Sequence, residues 1–188
     1  MIRTVFSGLA VVAAFAVITL ARAADEHGHK HPPEPVNEAV AVLVPMKASG
    51  VAGTIVLKQE KGAVRLTGEV TGLKPGKHGF HIHMFGDLRA ADGMSVGGHY
   101  NPHGRPHGGP ESKERHEGDL GNLDANPQGV ARVDARADHV ELADILGRSL
   151  VVHGDADDLK SQPAGNAGPR IAIGVIGRGE VKAPAAKK

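Results

Sequence analysis

The chain has 188 residues and a mass of 19.5 kDa, enough for one domain with a real core and short for two large ones. Its 22 Lys plus Arg against 21 Asp plus Glu give a net charge of +1, which argues against a strongly basic nucleic-acid binder. Cysteine is absent, which excludes disulfide frameworks, thiolate metal sites and cysteine nucleophiles, so any metal must be held by nitrogen and oxygen.

Residues 1–23 read as a secretory signal peptide. Arg3 precedes an uncharged, largely apolar run from Thr4 to Leu20, and Ala21-Arg22-Ala23 forms a small-x-small cleavage pattern. A membrane anchor is the alternative, but the apolar run falls short of the roughly 20 residues a spanning helix needs. Cleavage near Ala23 removes Arg3 and Arg22. The expectation is a nearly neutral periplasmic or secreted protein with no stable membrane association. Residues 24–36 form a polar, His-rich tail closed by Pro32 and Pro33. His27, His29 and His31 in it are candidates for metal capture, with a merely solvated terminus as the equal alternative.

Residues 37–181 are expected to form the folded domain and residues 182–188 a solvated tail. Within the domain the hydrophobic period is two. Ala39 to Val44, Gly53 to Gln59, Ala63 to Thr71, Gly79 to His83, Gly129 to Ala135, Ser149 to His153 and Ile171 to Ile176 are predicted strands, the first three separated by glycine-containing turns. The pattern implies an all-β sandwich or barrel of seven or eight strands.

From Met84 to Gly118 the periodicity stops. A structureless stretch that long in a compact domain is functional or disordered, so something must order it. His99, His107, His116 and Asp119 lie along it and at its end, and these side chains bind copper or zinc well. Three nitrogens and one oxygen suit a closed tetrahedral zinc site. His81 and His83, two apart on a strand, leave one face of the sheet and can reach a common ion, and His153 at the end of another strand can approach it. His78, His103 and His139 are expected on the surface, His78 because its strand parity is opposite to that of His81. The mature aromatics Phe80, Phe85 and Tyr100 stand within two positions of these ligands. They are read either as walls that stiffen the site or as ordinary core.

The segments Gly79-Phe80-His81-Ile82-His83, Gly98-His99-Tyr100-Asn101-Pro102, His107-Gly108-Gly109-Pro110 and Arg115-His116-Glu117-Gly118-Asp119-Leu120-Gly121-Asn122 resemble copper-zinc superoxide dismutases. So do Leu150 to Asp158 and Gly165 to Gly177, in the family's order, and the resemblance covers about residues 37–180. It implies an eight-stranded Greek-key β-barrel with long metal-binding and channel loops. Copper would be held by His81, His83, His99 and His153, and zinc by His99, His107, His116 and Asp119. Asp157 would be the carboxylate that hydrogen-bonds His81 and His107, and Arg170 would guide the anion at the channel mouth.

The implied reaction is dismutation of superoxide to dioxygen and hydrogen peroxide, with His99 and Arg170 as its key residues. Superoxide is then the expected partner. No nucleic acid is expected, and a homodimer is left open. Because the chain is nearly neutral, attraction of the anion must come from a local field; Arg170 is its expected source and Lys160 an undecided one. The family's disulfide is missing: by the resemblance, one cysteine would stand near Gly93 and its partner where Ile173 stands. The expectation is that Ile173 packs on Met94 or Val96 and that zinc supplies the remaining constraint. A copper carrier on the same barrel is the alternative function. A zinc hydrolase is disfavoured for lack of a general base beside an open zinc position.

Overall fold

The structure, a computed structural model, describes residues 35–180; the signal segment, His27, His29 and His31, and the 182–188 tail lie outside the described residues. Eight antiparallel strands make one sheet: β1 Glu38–Pro45, β2 Ala52–Glu60, β3 Ala63–Thr71, β4 Gly76–His83, β5 Asp119–Ala125, β6 Ala131–Asp138, β7 Ser149–His153 and β8 Arg170–Arg178. A one-turn helix, α1 (Leu142–Ile145), joins β6 to β7, and among the described residues no helix is long and apolar enough to cross a membrane.

The spatial order β5-β4-β7-β8-β1-β2-β3-β6 separates consecutive strands β3 and β4 and brings β8 beside β1. The two end strands, β5 and β6, pack together without a ladder, so the sheet curls into a nearly closed barrel. Alternation builds its inside: Ala39, Ala41 and Leu43 of β1, Ile55 and Leu57 of β2, and Phe80 and Ile82 of β4 are all 2% exposed or less. Burying each large apolar side chain contributes about 1.5–3 kcal/mol. The opposite parity of β4 therefore presents His81 and His83 outward, to the long loops.

Three sequence expectations change. Strand β5 was not expected: Asp-Leu-Gly-Asn-Leu-Asp-Ala carries no β-branched residue, and its conformation follows from pairing with β4, where Gly79 meets Asn122 and His81 meets Asp119. Strand β6 runs three residues further than predicted and starts two later. His78 is not on the surface: it is 3% exposed, with Nδ1 2.9 Å from the His153 carbonyl and Nε2 2.8 Å from that of Lys74. Its parity does oppose that of His81, but that side faces protein, where the ring lies between two backbone carbonyls and donates its N–H to one of them. His103 and His139 are exposed.

Candidate metal centre

The stretch between β4 and β5 is held to β4 by backbone bonds. Tyr100 N donates to Ile82 O at 2.7 Å, Met84 N to Gly98 O at 2.9 Å, and Ile82 N to Gly118 O at 2.9 Å. Gly118 must be glycine, because a Cβ there would collide with the Ile82 carbonyl oxygen. This stitching forms an isolated bridge between His83 and His99 and brings the loop's first histidine beside the strand pair. Apart from a single 3-10 turn at Met94–Val96, Met84 to Gly118 is irregular, as expected.

Two groups of ligand atoms result. His81, His83, His99 and His153 form one, and His99, His107, His116 and Asp119 the other; in each the ligand atoms lie within 4.8 Å of one another, and all seven residues are buried. In the second group three Nδ1 atoms surround one carboxylate: His99 at 2.8 Å and His116 at 3.1 Å from Oδ1, and His107 at 3.1 Å from Oδ2. In the first, His83 Nε2 stands 3.3 Å from His153 Nε2, and the His81 and His99 rings stack at 3.9 Å. His99 belongs to both groups; its Nδ1 meets Asp119, and its Nε2 has no hydrogen-bond partner.

Whether these residues suit a cation is tested by their leftover atoms. His81 Nδ1 and His99 Nε2 are buried and make no hydrogen bond, and His107 Nδ1, though 3.1 Å from Asp119 Oδ2, is not aligned for one. A buried polar atom left unpaired costs about 1–3 kcal/mol, so three in one place mark a ligand set. The other ring nitrogens explain which atom is free. His81 Nε2 donates to Asp157 Oδ2 at 2.8 Å, His83 Nδ1 to the Gly97 carbonyl at 2.9 Å, and His153 Nδ1 to that of Gly168 at 3.2 Å. Each bond fixes the tautomer and leaves a lone pair aimed inward.

Asp157 spans the two groups, since its Oδ1 also accepts from His107 Nε2 at 3.0 Å. Asn122 of β5 holds it from both sides, donating to its carbonyl at 2.9 Å and accepting from its N–H at 2.8 Å. Gly165 lies against it so closely that any Cβ would overlap the carboxylate. Gln162 clamps the His107 backbone, accepting from its N–H at 2.8 Å and donating to its carbonyl at 2.9 Å. Neither Asn122 nor Gln162 was singled out in the sequence, and no spacing signals them.

Burial and charge set the protonation. Burial lowers His81 to about 4 and His153 to about 3 and also pushes His83 well down, so these rings are neutral at pH 7. Burial acts on His107 too, but the Asp119 and Asp157 carboxylates beside its two ring nitrogens outweigh it and raise the group to about 9. Burial alone would raise both carboxyls. The imidazoles of His107 and His99 beside Asp119, and those of His107 and His81 beside Asp157, hold the two carboxyls well below the usual range.

A cleft of about 410 Å³ opens onto the first group, with His83, His99, His153, Met94, Asp92, Lys47 and Arg170 in its walls. Arg170 is fixed there: Nη1 donates to Gly93 O at 2.7 Å and Nη2 to Gly97 O at 2.6 Å. The Gly97 carbonyl thus receives both Arg170 and His83. Lys160 is not among the wall residues. Ile173 is fully buried with Val96, Met46 and Val151, whereas Met94 is 63% exposed. A Cβ on Gly93, whose φ is 74°, would fall 2.5 Å from Ile173 Cδ1, so isoleucine fills the space beside the loop. Of the aromatics, Phe80 and Tyr100 belong to the core cluster, while Phe85 is 55% exposed against Gly97 and walls no ligand.

The chain is similar to a solved structure titled "Crystal Structure Analysis of the clock protein EA4", at 39% identity and a TM-score of 0.72, over 79% of this chain and 98% of that one. The model of the family described as copper/zinc superoxide dismutase (SODC) matches residues 51–176. Both histidine groups, Asp157 and Arg170 fall inside that span, and the chain belongs to the copper/zinc superoxide dismutase family.

Proposed function

We propose that the protein is an exported enzyme that dismutates superoxide to dioxygen and hydrogen peroxide, with copper on His81, His83, His99 and His153 and zinc on His99, His107, His116 and Asp119. When bound, copper supplies a one-electron couple, and zinc supplies a fixed charge that changes no oxidation state. The observation that carries the reading is His99, which belongs to both groups, with Nδ1 bonded to Asp119 and Nε2 buried and unpartnered. Nε2 is the atom that can take up a proton and give it back as the charge beside it alternates. Asp157 keeps His81 in the tautomer that leaves Nδ1 free and holds the ring of His107 through its Nε2. Arg170, pinned by two backbone carbonyls, presents its remaining N–H groups to an anion in the cleft without having to be ordered when the anion arrives.

The N-terminal pattern supports export. A homodimer is supported by an exposed apolar strip: Val42 and Val44 of β1, Val175 of β8 beside them, and Phe85, whose carbonyl Ser149 holds from the residue paired with Val175. Sedimentation of the metal-loaded protein tests the dimer. The neighbour titled a clock protein supports a second reading, in which the same barrel binds metal without turnover. Copper and zinc content per chain together with superoxide decay after pulse radiolysis separates the two. The enzyme reading expects both metals and decay near the diffusional range, and full metal loading without accelerated decay leaves the binding module.

A further inference from the structure

We propose that Lys47 is a second cation of the cleft, a positioning residue that draws small anions toward the four-histidine group alongside Arg170. The proposal rests on the reading above that the cleft admits an anionic substrate. Lys47 belongs to the β1–β2 turn, far in sequence from the channel loop in which a cation would be sought, yet it stands in the same wall as Arg170. Sequence reading considered Lys160, from the channel loop itself, and that residue is absent from the wall.

The turn is an unusual one. Ser49 N donates to Met46 O at 3.0 Å, closing a four-residue turn, and both central residues are left-handed, Lys47 at φ 46° and Ala48 at φ 55°. Such turns favour Asn-Gly, because L side chains other than Asn, Asp and Gly rarely adopt this conformation. A lysine held there without the turn's usual residues points to a use for its side chain.

The turn is also anchored where a cation would matter. Met46 N donates to Ile171 O at 2.9 Å and Ser49 Oγ to the same carbonyl at 2.6 Å, one residue beyond Arg170, and Met46 is buried against Ile173 and Val96. Among the described residues no acidic side chain lies in salt-bridge range of Lys47, which is exposed. The charged and titratable groups of the cleft wall are Lys47, Arg170, Asp92, His83, His99 and His153. Of the fixed charges in the wall, Asp92 offsets one cation, and Lys47 leaves the mouth net positive. A nearly neutral protein needs such a local field to collect an anion.

The test uses the copper- and zinc-loaded protein and three variants: Lys47→Gln and Lys47→Gly, which remove the charge, and Lys47→Arg, which keeps it. Glycine also suits the turn, so any loss due to turn distortion appears in Gln but not in Gly. Two quantities are read at about 10 mM and about 0.5 M salt: azide affinity by visible absorption, and superoxide decay by pulse radiolysis. At low salt, Gln and Gly are each expected to lose about two- to threefold in both, Arg to match the parent, and the difference to close at high salt, where screening is complete within a few ångströms. Equal values for all four proteins at low salt, or a loss in Gln alone, overturn the proposal. If the parent binds azide with this charge dependence but does not speed superoxide decay, the role of Lys47 stands and the dismutase reading falls.

Discussion

The two ligand groups stand on different foundations. His81, His83 and His153 sit on β4 and β7, which pair directly through Phe80–Val152 and Ile82–Leu150, so ladder bonds and a fully buried core hold their spacing. His107 and His116 sit on irregular chain, and only Asp119, at the start of β5, has strand support. The first group resembles a prebuilt socket. The second is tied by a single carboxylate that three imidazoles share, and by Gln162 from another loop. A ligand set on rigid strands tunes an ion, whereas one on a loop exchanges binding energy for order in the loop. His99 couples them, since it is stitched to β4 on one side and bonded to Asp119 on the other.

The most severe way to break that coupling is His99→Ala, which removes a ligand from both groups. Superoxide decay by the metal-loaded protein is expected to fall by about a hundredfold or more, with zinc affinity falling too. Unchanged zinc affinity would mean the ring is not shared. Asp157→Asn should weaken both sites together by about 10–100-fold, because its two oxygens hold His81 and His107 at once. Competition titrations for each metal check this, and a loss confined to one metal would show that the carboxylate serves only one group.

Zinc removal sharpens the contrast between socket and loop. Occupancy at about 100 times the dissociation constant contributes about 2.7 kcal/mol, so chelating zinc should lower Tm by roughly 5–10 °C. Hydrogen exchange should then rise across residues 84–118 while β4 and β7 stay protected. A Tm that does not move would show that Ile173 and Val96 alone replace the missing covalent tether.

The smallest expected effect is the pH profile of the metal-free protein, and it has two arms. His81 and His153 titrate near 6.5 when unfolded and at about 4 and about 3 when folded. The unfolded chain therefore binds more protons between those values, and stability present above about pH 6.5 is lost as pH falls through 4 toward 3. His107 has the opposite sign. Raised to about 9 in the fold, it stabilises fully below 6.5 and loses that contribution as pH rises through 9. Urea midpoints from pH 4 to pH 9 should peak near 6.5, with the acid arm steeper because more than one strand histidine feeds it. An acid arm no steeper than the alkaline one would contradict the burial of the strand group.

Much of this was legible in one dimension. Period-two alternation placed Phe80 and Ile82 inside and His81 and His83 together outside, because a strand's side chains can only alternate. The break in that rhythm after His83 marked the loop, and its His and Asp spacing marked a metal group. Strand β5 was not legible, because its residues have little strand preference and take their conformation from β4. The burial of His78 was not legible either, because parity names a face without saying what covers it.

The sequence by itself determined the chemistry, nitrogen and oxygen ligands without any thiol, and the faces on which the strand ligands stand. Only the tertiary structure decided that His99 belongs to both groups, that Gly97 receives both His83 and Arg170, and that Lys47 from a remote turn shares a wall with Arg170. The physical reason is one of range. Side-chain direction along a strand is fixed by covalent geometry over neighbouring residues, whereas distances across the barrel depend on strand order and register, which arise only when all eight strands bury one common core.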